Sequence, residues 1–100
     1  MTILLILTGA RASGKTTIAK TTAGTDAFHC SGVGVCDDAS AFHNAPSDRN
    51  WIIDGGGMSE LDLERLASWA QNGQFPIERA NGDVQQRLTP RFMIVDGYQF

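Results

Sequence analysis

The residues best suited to chemistry lie near the start of the chain, where positions 9–16 read GARASGKT and fit the pattern G-x-x-x-x-G-K-[ST]. Gly9 and Gly14 allow a tight turn in which successive backbone N–H groups point into one concavity. In such a loop Lys15 reaches the β- and γ-phosphates, and the Thr16 hydroxyl is a ligand for Mg²⁺. We therefore expect a nucleotide to be held by Gly9, Ala10, Arg11, Ala12, Ser13, Gly14, Lys15, Thr16 and Thr17.

A second candidate is Asp54, which ends the apolar run Trp51–Asp54 and precedes three glycines. An acid at the end of a buried strand matches the Walker B position, where the carboxylate holds Mg²⁺ through water. The alternative is an Asp-Gly turn with a purely structural role. Our hypothesis makes Thr16 and Asp54 the metal-binding residues, and Lys15 and Asp54 catalytic residues.

Two further carboxylates are candidates for the catalytic site. Asp96 ends the apolar run 92–95 and would lie near the γ-phosphate, and Glu60 could serve as a general base. The alternative for Glu60 is an acid in the first turn of a helix, where it favours the helix dipole. A zinc site built from His29, Cys30, Cys36 and His43 is disfavoured, because their spacing matches no usual ligand pattern.

Strands and helices alternate along the chain. Apolar runs predict strands over 2–8, 26–31, 51–54 and 91–96. Helices are predicted over 14–23, in a short segment after Asp38, and from Ser59 to residue 72. The segment 74–90 is ambiguous, and a hairpin turning at Asn81-Gly82 is one alternative for it. The pattern predicts a single α/β domain over residues 1–100, a small P-loop sandwich whose mainly parallel sheet of about four strands is flanked by helices.

Composition limits the partners and the compartment. Eight Lys and Arg against eleven Asp and Glu give a net charge of −3, so charge does not support nucleic acid as a partner. The apolar start lacks a basic segment typical of a secretory signal and is far short of a membrane span. We expect no membrane association, two free cysteines, and a cytoplasmic location (the host cytoplasm if the chain is viral).

The chain resembles the P-loop NTPase superfamily. The segments that carry the resemblance are the loop at 9–16, the run Trp51–Asp54, the helix after it and the run Thr89–Val95. It looks most like the AAA+ and superfamily-three helicase core. The resemblance implies ATP or GTP as ligand, Mg²⁺ as cofactor, a polar sensor residue at Asp96, and sites completed by a protein partner or by self-association. The chain departs from this family at Gly55, where the family has a water-activating Glu, and at Asp96, where it has Asn, Ser or Thr.

Three functions follow from these residues. The first is Mg²⁺-dependent binding of a nucleoside triphosphate, with weak or partner-dependent hydrolysis. The second is a small-molecule or nucleotide kinase, because the run 50–55 resembles a kinase strand ending in Asp-Gly; its lid arginines would come from Arg79, Arg87 and Arg91. The third is a non-catalytic P-loop remnant that binds or inhibits a protein, with Tyr98 and Phe100 as aromatic anchors.

Overall fold

The computed structural model describes residues 2–8 and 21–99. The phosphate-binding pattern at 9–16 and Thr17 therefore lie outside the described residues, as does Phe100. Residues 21–23 are helical. The other elements, in chain order, are β1 (Ile3–Leu7), β2 (Phe28–Ser31), a 3-10 helix (Ser40–Phe42), β3 (Trp51–Asp54), α1 (Glu60–Asn72), β4 (Gln74–Glu78), β5 (Val84–Leu88) and β6 (Phe92–Asp96).

Four strands form a parallel sheet in the order β1-β6-β3-β2. The two central strands, β3 and β6, are the most apolar, and both of their faces are covered. Such continuous apolar runs are typical of parallel strands buried on both sides. The four predicted strands are therefore confirmed, each to within two residues of the observed bounds.

The predicted helix-flanked sandwich is wrong. Between α1 and β6 the chain forms a second, antiparallel sheet of two strands, β4 and β5, and α1 is the longest helix among residues 2–8 and 21–99. Phe75 and Ile77 alternate with less buried residues, which is a strand pattern. Likewise, the segment after Asp38 forms only the 3-10 helix Ser40–Phe42. The fold is a small mixed α and β structure.

The helix α1 has the predicted bounds because both of its ends are capped. The Ser59 side chain accepts a hydrogen bond from the Asp62 backbone N–H, and the Asp62 carboxylate accepts one from the Ser59 N–H. At the other end Gly73 adopts the left-handed conformation (φ 72°), and its N–H donates to the Trp69 carbonyl. Leu66 and Trp69 are buried against the sheet.

The parallel sheet has two faces with different coverings. Trp51, Ile53, Met93 and Val95 form the α1 face, which packs in one core with α1 and β4. Ile52 and Ile94 form the Ala23 face, named after Ala23, which packs against them at the end of the helical residues 21–23. Because side chains alternate along a strand, every second residue of a strand belongs to the same face.

An aromatic cluster joins the two sheets on the α1 face. Trp51 of β3 meets Phe75 of β4 with ring centroids 5.0 Å apart, and Trp69 of α1 meets Phe75 at 5.4 Å. Phe42 contacts both tryptophans, at 5.5 Å and 5.3 Å. Aromatic pairs at such separations stabilise a core beyond the area they bury. The antiparallel sheet is therefore held to the parallel one through side chains.

Candidate functional site

The last residues of the four parallel strands lie opposite one another. Leu7 pairs with Asp96, Asp96 with Asp54, and Asp54 with Ser31. Paired residues of a parallel sheet point to the same side, and neighbouring strands are about 4.8 Å apart. This carboxyl-end row, made up of Leu7, Asp96, Asp54 and Ser31, therefore points to the Ala23 face. It brings two of the predicted site residues, Asp54 and Asp96, next to each other.

Asp54 is exposed at the end of β3. Its Oδ1 accepts a hydrogen bond from the Gly56 N–H at 3.0 Å, so the Asp-Gly turn considered above is present. The turn uses Oδ1, and Oδ2 accepts no hydrogen bond from residues 2–8 and 21–99. An exposed carboxylate oxygen is a hard ligand of the kind Mg²⁺ prefers. Asp54 therefore fits a metal ligand as well as a turn residue.

Gly55 is buried directly after Asp54, where the resemblance leads one to expect a glutamate. A Cβ atom at this position would lie 2.6 Å from Val95 Cγ1 and 3.0 Å from the Tyr98 backbone nitrogen. The first distance is shorter than a real Cβ contact and the second is tight, so a side chain at this position would require the buried Val95 side chain to shift. Glycine at position 55 therefore fits the close packing of the strand ends, and an acid there would come at the cost of that packing.

Asp96 lies between Leu7 and Asp54 in the carboxyl-end row. It is half-buried, and its Oδ1 is inaccessible to solvent. Its backbone carbonyl accepts a hydrogen bond from the Gly55 N–H at 2.8 Å, and the next residue, Gly97, donates to the Leu7 carbonyl at 3.0 Å. The end of β6 is therefore hydrogen-bonded to both β1 and β3. The loop pattern begins at Gly9, two residues after Leu7.

The third acid, Glu60, lies apart from this row. It is the exposed first residue of α1, and α1 packs on the α1 face, whereas Asp54 and Asp96 belong to the Ala23 face. Glu60 and the two strand-end carboxylates therefore belong to elements on opposite faces of the sheet. An acid in the first helical turn favours the helix dipole, which is the structural role considered for it.

The acid with the strongest structural role, Asp62, was not among the predicted site residues. Only 3% of its surface is exposed. Its Oδ2 accepts hydrogen bonds from the Gly34 and Ser59 N–H groups at 3.1 and 3.0 Å, and its Oδ1 accepts one from the Cys36 N–H at 3.1 Å. The Ser59-x-x-Asp62 spacing signals the helix cap, but nothing in the sequence signals the contact with 34–36.

The Cys36 thiol and the Asp62 carboxylate change each other's acidity. The thiol hydrogen bond, together with the backbone N–H donors, holds the pKa of Asp62 well below its usual range, although burial opposes this. The same hydrogen bond raises the pKa of Cys36, because it favours the protonated thiol; burial and the negative charges of Asp37 and Asp62 act in the same direction. Burial also raises the pKa of Cys30 to about 12. At neutral pH both cysteines are therefore free thiols in their protonated form.

Several other candidates have structural partners. Arg79 hydrogen-bonds Gln85, and Arg87 donates to the carbonyls of His43 and Ala45, so neither arginine forms a lid over the carboxyl-end row. Arg91 lies over the ring of Phe92, with 5.5 Å from Cζ to the ring centroid. Tyr98 is buried in the core, which rules it out as an exposed anchor. The described residues contain no group of three or more His, Cys, Asp or Glu that could hold a metal ion by themselves.

Comparison with protein-family models and with curated proteins found no match for this chain. Within residues 2–8 and 21–99 there is no helix of the length and apolar character needed to cross a membrane.

Proposed function

We propose that this protein is a minimal member of the P-loop NTPase superfamily that binds a nucleoside triphosphate, ATP or GTP, together with Mg²⁺. Hydrolysis is slow, or depends on a protein partner or on self-association. One observation carries the proposal: Asp54 and Asp96 lie side by side on the Ala23 face, next to the strand from which the phosphate-binding pattern continues. In parallel sheets, ligands bind beyond the carboxyl ends of the strands.

Each group has a separate role in this proposal. The backbone N–H groups of the loop and the Lys15 ammonium bind the phosphates. Thr16 and Asp54 hold the magnesium ion, Asp54 through water. The chemistry that Mg²⁺ supplies there is neutralisation of charge on the phosphate oxygens. The negative charge of the carboxyl-end row, which contains Asp54 and Asp96, favours a metal complex of the nucleotide over the free anion.

The test of nucleotide binding is a titration with a fluorescent ATP analogue, with and without Mg²⁺, on the wild type and Lys15→Ala. We expect Lys15→Ala to weaken binding at least tenfold, because it removes the charge that meets the phosphates. The matched control is Lys20→Ala, which removes the only other lysine and should bind as the wild type does. Equal affinities of the wild type and Lys15→Ala would contradict the proposal.

The role of Asp54 is tested by Asp54→Asn. We expect affinity in EDTA to change less than threefold, whereas the Mg²⁺ concentration needed for half-maximal enhancement rises about tenfold or more, because a neutral amide is a poorer magnesium ligand. Asp48→Asn, a change of another exposed acid, is the control. If Asp54→Asn responds to Mg²⁺ as the control does, Asp54 has only its turn role.

A kinase is the second candidate, and Gly55 favours it, because phosphoryl transfer to a hydroxyl requires no acid after Asp54. ADP release measured with and without nucleosides, nucleotides and other small acceptors separates the two enzymes. Turnover that depends on an acceptor supports the kinase, and turnover stimulated by a protein supports the partner-dependent NTPase. Binding without any turnover supports the non-catalytic remnant.

We place this function in the cytoplasm. Nucleoside triphosphates and reducing conditions occur together there, and Cys30 and Cys36 are both free. The net charge of −3 gives no support to nucleic acid as the partner, so a protein partner remains the proposal.

A further inference from the structure

The strand β5 (Val84–Leu88) is an edge of the antiparallel sheet, and no strand among residues 2–8 and 21–99 lies along its outer side. The Thr89 N–H donates to the Gly73 carbonyl, which makes these two residues a hydrogen-bonded pair of the hairpin. Hydrogen-bonded and non-hydrogen-bonded pairs alternate along an antiparallel ladder. The residues of β5 whose backbone N–H and C=O groups point away from β4 are therefore Val84, Gln86 and Leu88.

Most of these outward backbone groups have no hydrogen-bond partner in the part of the chain that the structure describes. The exception is the Leu88 carbonyl, which accepts a hydrogen bond from the Ser47 hydroxyl at 2.7 Å. A carbonyl oxygen has two lone pairs, so this one can still accept a second bond. Unpaired N–H and C=O groups in a row are a template for another strand.

The outer edge of β5 lacks the features that usually keep an edge strand from pairing with another chain, namely lysine, proline and β-bulges. β5 reads VQQRL, and its register with β4 is continuous, without a bulge. Its one charged residue, Arg87, donates to the carbonyls of His43 and Ala45. The side chains of Val84 and Leu88 are each 62% exposed, so β5 offers apolar surface as well as backbone groups to another strand.

The sequence of β5 is complementary to itself when two copies run antiparallel. If Gln86 lies opposite Gln86 of the second copy, Val84 lies opposite Leu88 at both ends. The outward residues then form the hydrogen-bonded pairs, each of which exchanges two backbone hydrogen bonds. Arg87 lies opposite Gln85, so no like charges meet, and the apolar side chains form cross-strand pairs. A second copy of this chain therefore fits the edge.

We propose that two copies of this chain associate through their β5 edges, in an antiparallel pair centred on Gln86 that joins the two hairpins into one sheet. The inference rests on the hairpin alone and does not depend on the proposed nucleotide binding. Pairing stops at two copies, because both use the same edge and the outer edge of β4 carries Pro76, which has no N–H, and the charged Glu78. A pair of five-residue strands is a small contact, so we expect a Kd on the order of 100 µM.

The test measures the mass of the full chain by sedimentation equilibrium without nucleotide, from about 5 to about 500 µM. Val84→Lys/Leu88→Lys places lysine opposite lysine at both ends of the pair, and we expect it to raise Kd at least tenfold. Val84→Glu/Leu88→Lys changes the same two exposed positions but places glutamate opposite lysine. We expect its Kd to lie within about threefold of the wild type, because opposite charges in cross-strand pairs attract.

The role of the backbone is tested by Gln86→Pro. This change removes the outward N–H at the centre of the pair and no hydrogen bond to β4, because Gln86 lies in a non-hydrogen-bonded pair with Pro76. We expect Kd to rise at least tenfold. The matched control Gln86→Thr keeps the N–H and should associate as the wild type does. Thermal unfolding at low concentration shows whether each variant is folded.

Each result supports or overturns the inference. A wild type that stays monomeric throughout the range overturns it, and so does a mass that grows beyond that of a dimer. Equal Kd values for the two double variants overturn the pairing of Val84 with Leu88. A folded Gln86→Pro that associates as the wild type does overturns the backbone pairing; if this variant is unfolded, the two double variants decide. None of these results bears on nucleotide binding, which the titrations with Lys15→Ala test separately.

Discussion

Gly55 lies between the end of β3 and the end of β6, where the packing leaves little space for a side chain. Its N–H bonds the Asp96 carbonyl, and the space for a side chain is filled by Val95 and by the backbone at Tyr98. The strand ends can approach this closely only because residue 55 lacks a Cβ atom. The packing that fixes Asp96 is therefore the same packing that excludes an acid at position 55.

Gly55→Ala should lower the free energy of unfolding by about 1–3 kcal/mol, the usual cost of forcing an extra group into a packed core. Urea unfolding followed by tryptophan fluorescence measures it. Gly56→Ala is the control: Gly56 is exposed, and a Cβ added there would have one atom of the described residues within 4 Å, the side-chain oxygen Asp54 Oδ1 at 3.3 Å. Equal stabilities of the two variants would show that the contact with Val95 is unimportant.

Asp62→Asn should lower the free energy of unfolding by about 2–3 kcal/mol at pH 7, because three backbone N–H groups lose a charged acceptor. The pKa of Asp62 is lower in the folded protein than its unfolded value of about 3.9. Its contribution is therefore complete above that value and is lost as the pH falls through the lower folded pKa.

The measurement is urea unfolding of the wild type and Asp62→Asn at pH 7, 5 and 3. We expect the difference between them to be constant from pH 7 to 5 and to shrink toward pH 3 and below. Glu64→Gln, an exposed acid on the same helix, is the control and should differ little from the wild type. If the difference in the free energy of unfolding between the wild type and Asp62→Asn grows as the pH falls, the role given to Asp62 is contradicted.

At the scale of elements, the β4–β5 hairpin is the part of the chain for which the sequence pattern is ambiguous. Residues 74–90 are mostly polar, so their apolar period is weak. The signal for a turn is clearer. Gly82 has φ 85°, its N–H donates to the Arg79 carbonyl, and the Asp83 backbone carbonyl accepts a hydrogen bond from the Arg79 N–H. The hairpin turning at Asn81-Gly82, named as an alternative for this ambiguous segment, is the structure that forms.

Gly82→Ala should destabilise the protein by about 1 kcal/mol, because the left-handed conformation is unfavourable for a residue with a Cβ atom. A Cβ at Gly82 would meet no atom of residues 2–8 and 21–99 within 4 Å, so the expected cost is strain in the backbone. Gly82→Asn is the matched control and should cost less, since asparagine tolerates this conformation. Thermal unfolding of the two variants measures the effect, and an equal cost for both would count against the conformational explanation.

How far the sequence predicts each element depends on whether its cause is local. The strands and α1 were predictable because apolar runs, the Ser59 cap and Gly73 lie within a few residues of the elements they define. The pairing of Asp54 with Asp96 was foreseen only in outline, since residues 42 apart in sequence become neighbours through the strand order. The contact of Asp62 with 34–36 had no signal, because it joins a helix cap to a distant loop.

At the scale of the whole molecule, the aromatic cluster determines how the two sheets fit together. The sequence predicts a sheet flanked by helices and gives residues 74–90 no definite element, whereas in the structure Phe75 and Ile77 of the hairpin supply part of the apolar surface of the core. The pattern of apolar and polar residues predicts which residues are buried. It does not predict whether a helix or a second sheet covers a given face. This is why the predicted layers were wrong even though the parallel strands were correct.

Phe75→Ala should destabilise the protein by about 3–5 kcal/mol, because it leaves a cavity between Trp51 and Trp69. A domain of this size has little stability to spare, so partial unfolding at 25 °C is expected. Leu88→Ala, at a side chain that is 62% exposed on the same hairpin, should change stability by less than about 0.5 kcal/mol. Tryptophan fluorescence and far-ultraviolet circular dichroism measure both variants, and a cost below 1 kcal/mol for Phe75→Ala would contradict the role of the cluster.

The order β1-β6-β3-β2 has a consequence for synthesis of the protein on the ribosome. β1 is made first, yet its neighbour in the sheet is β6, which follows it by almost ninety residues. Until β6 has left the exit tunnel, β1 and β3 have no strand between them, and the apolar run Ile3–Leu7 has no partner in the sheet. The parallel sheet is therefore completed only after β6 has emerged, and a nascent chain that stops before Phe92 lacks the central strand on which the carboxyl-end row depends.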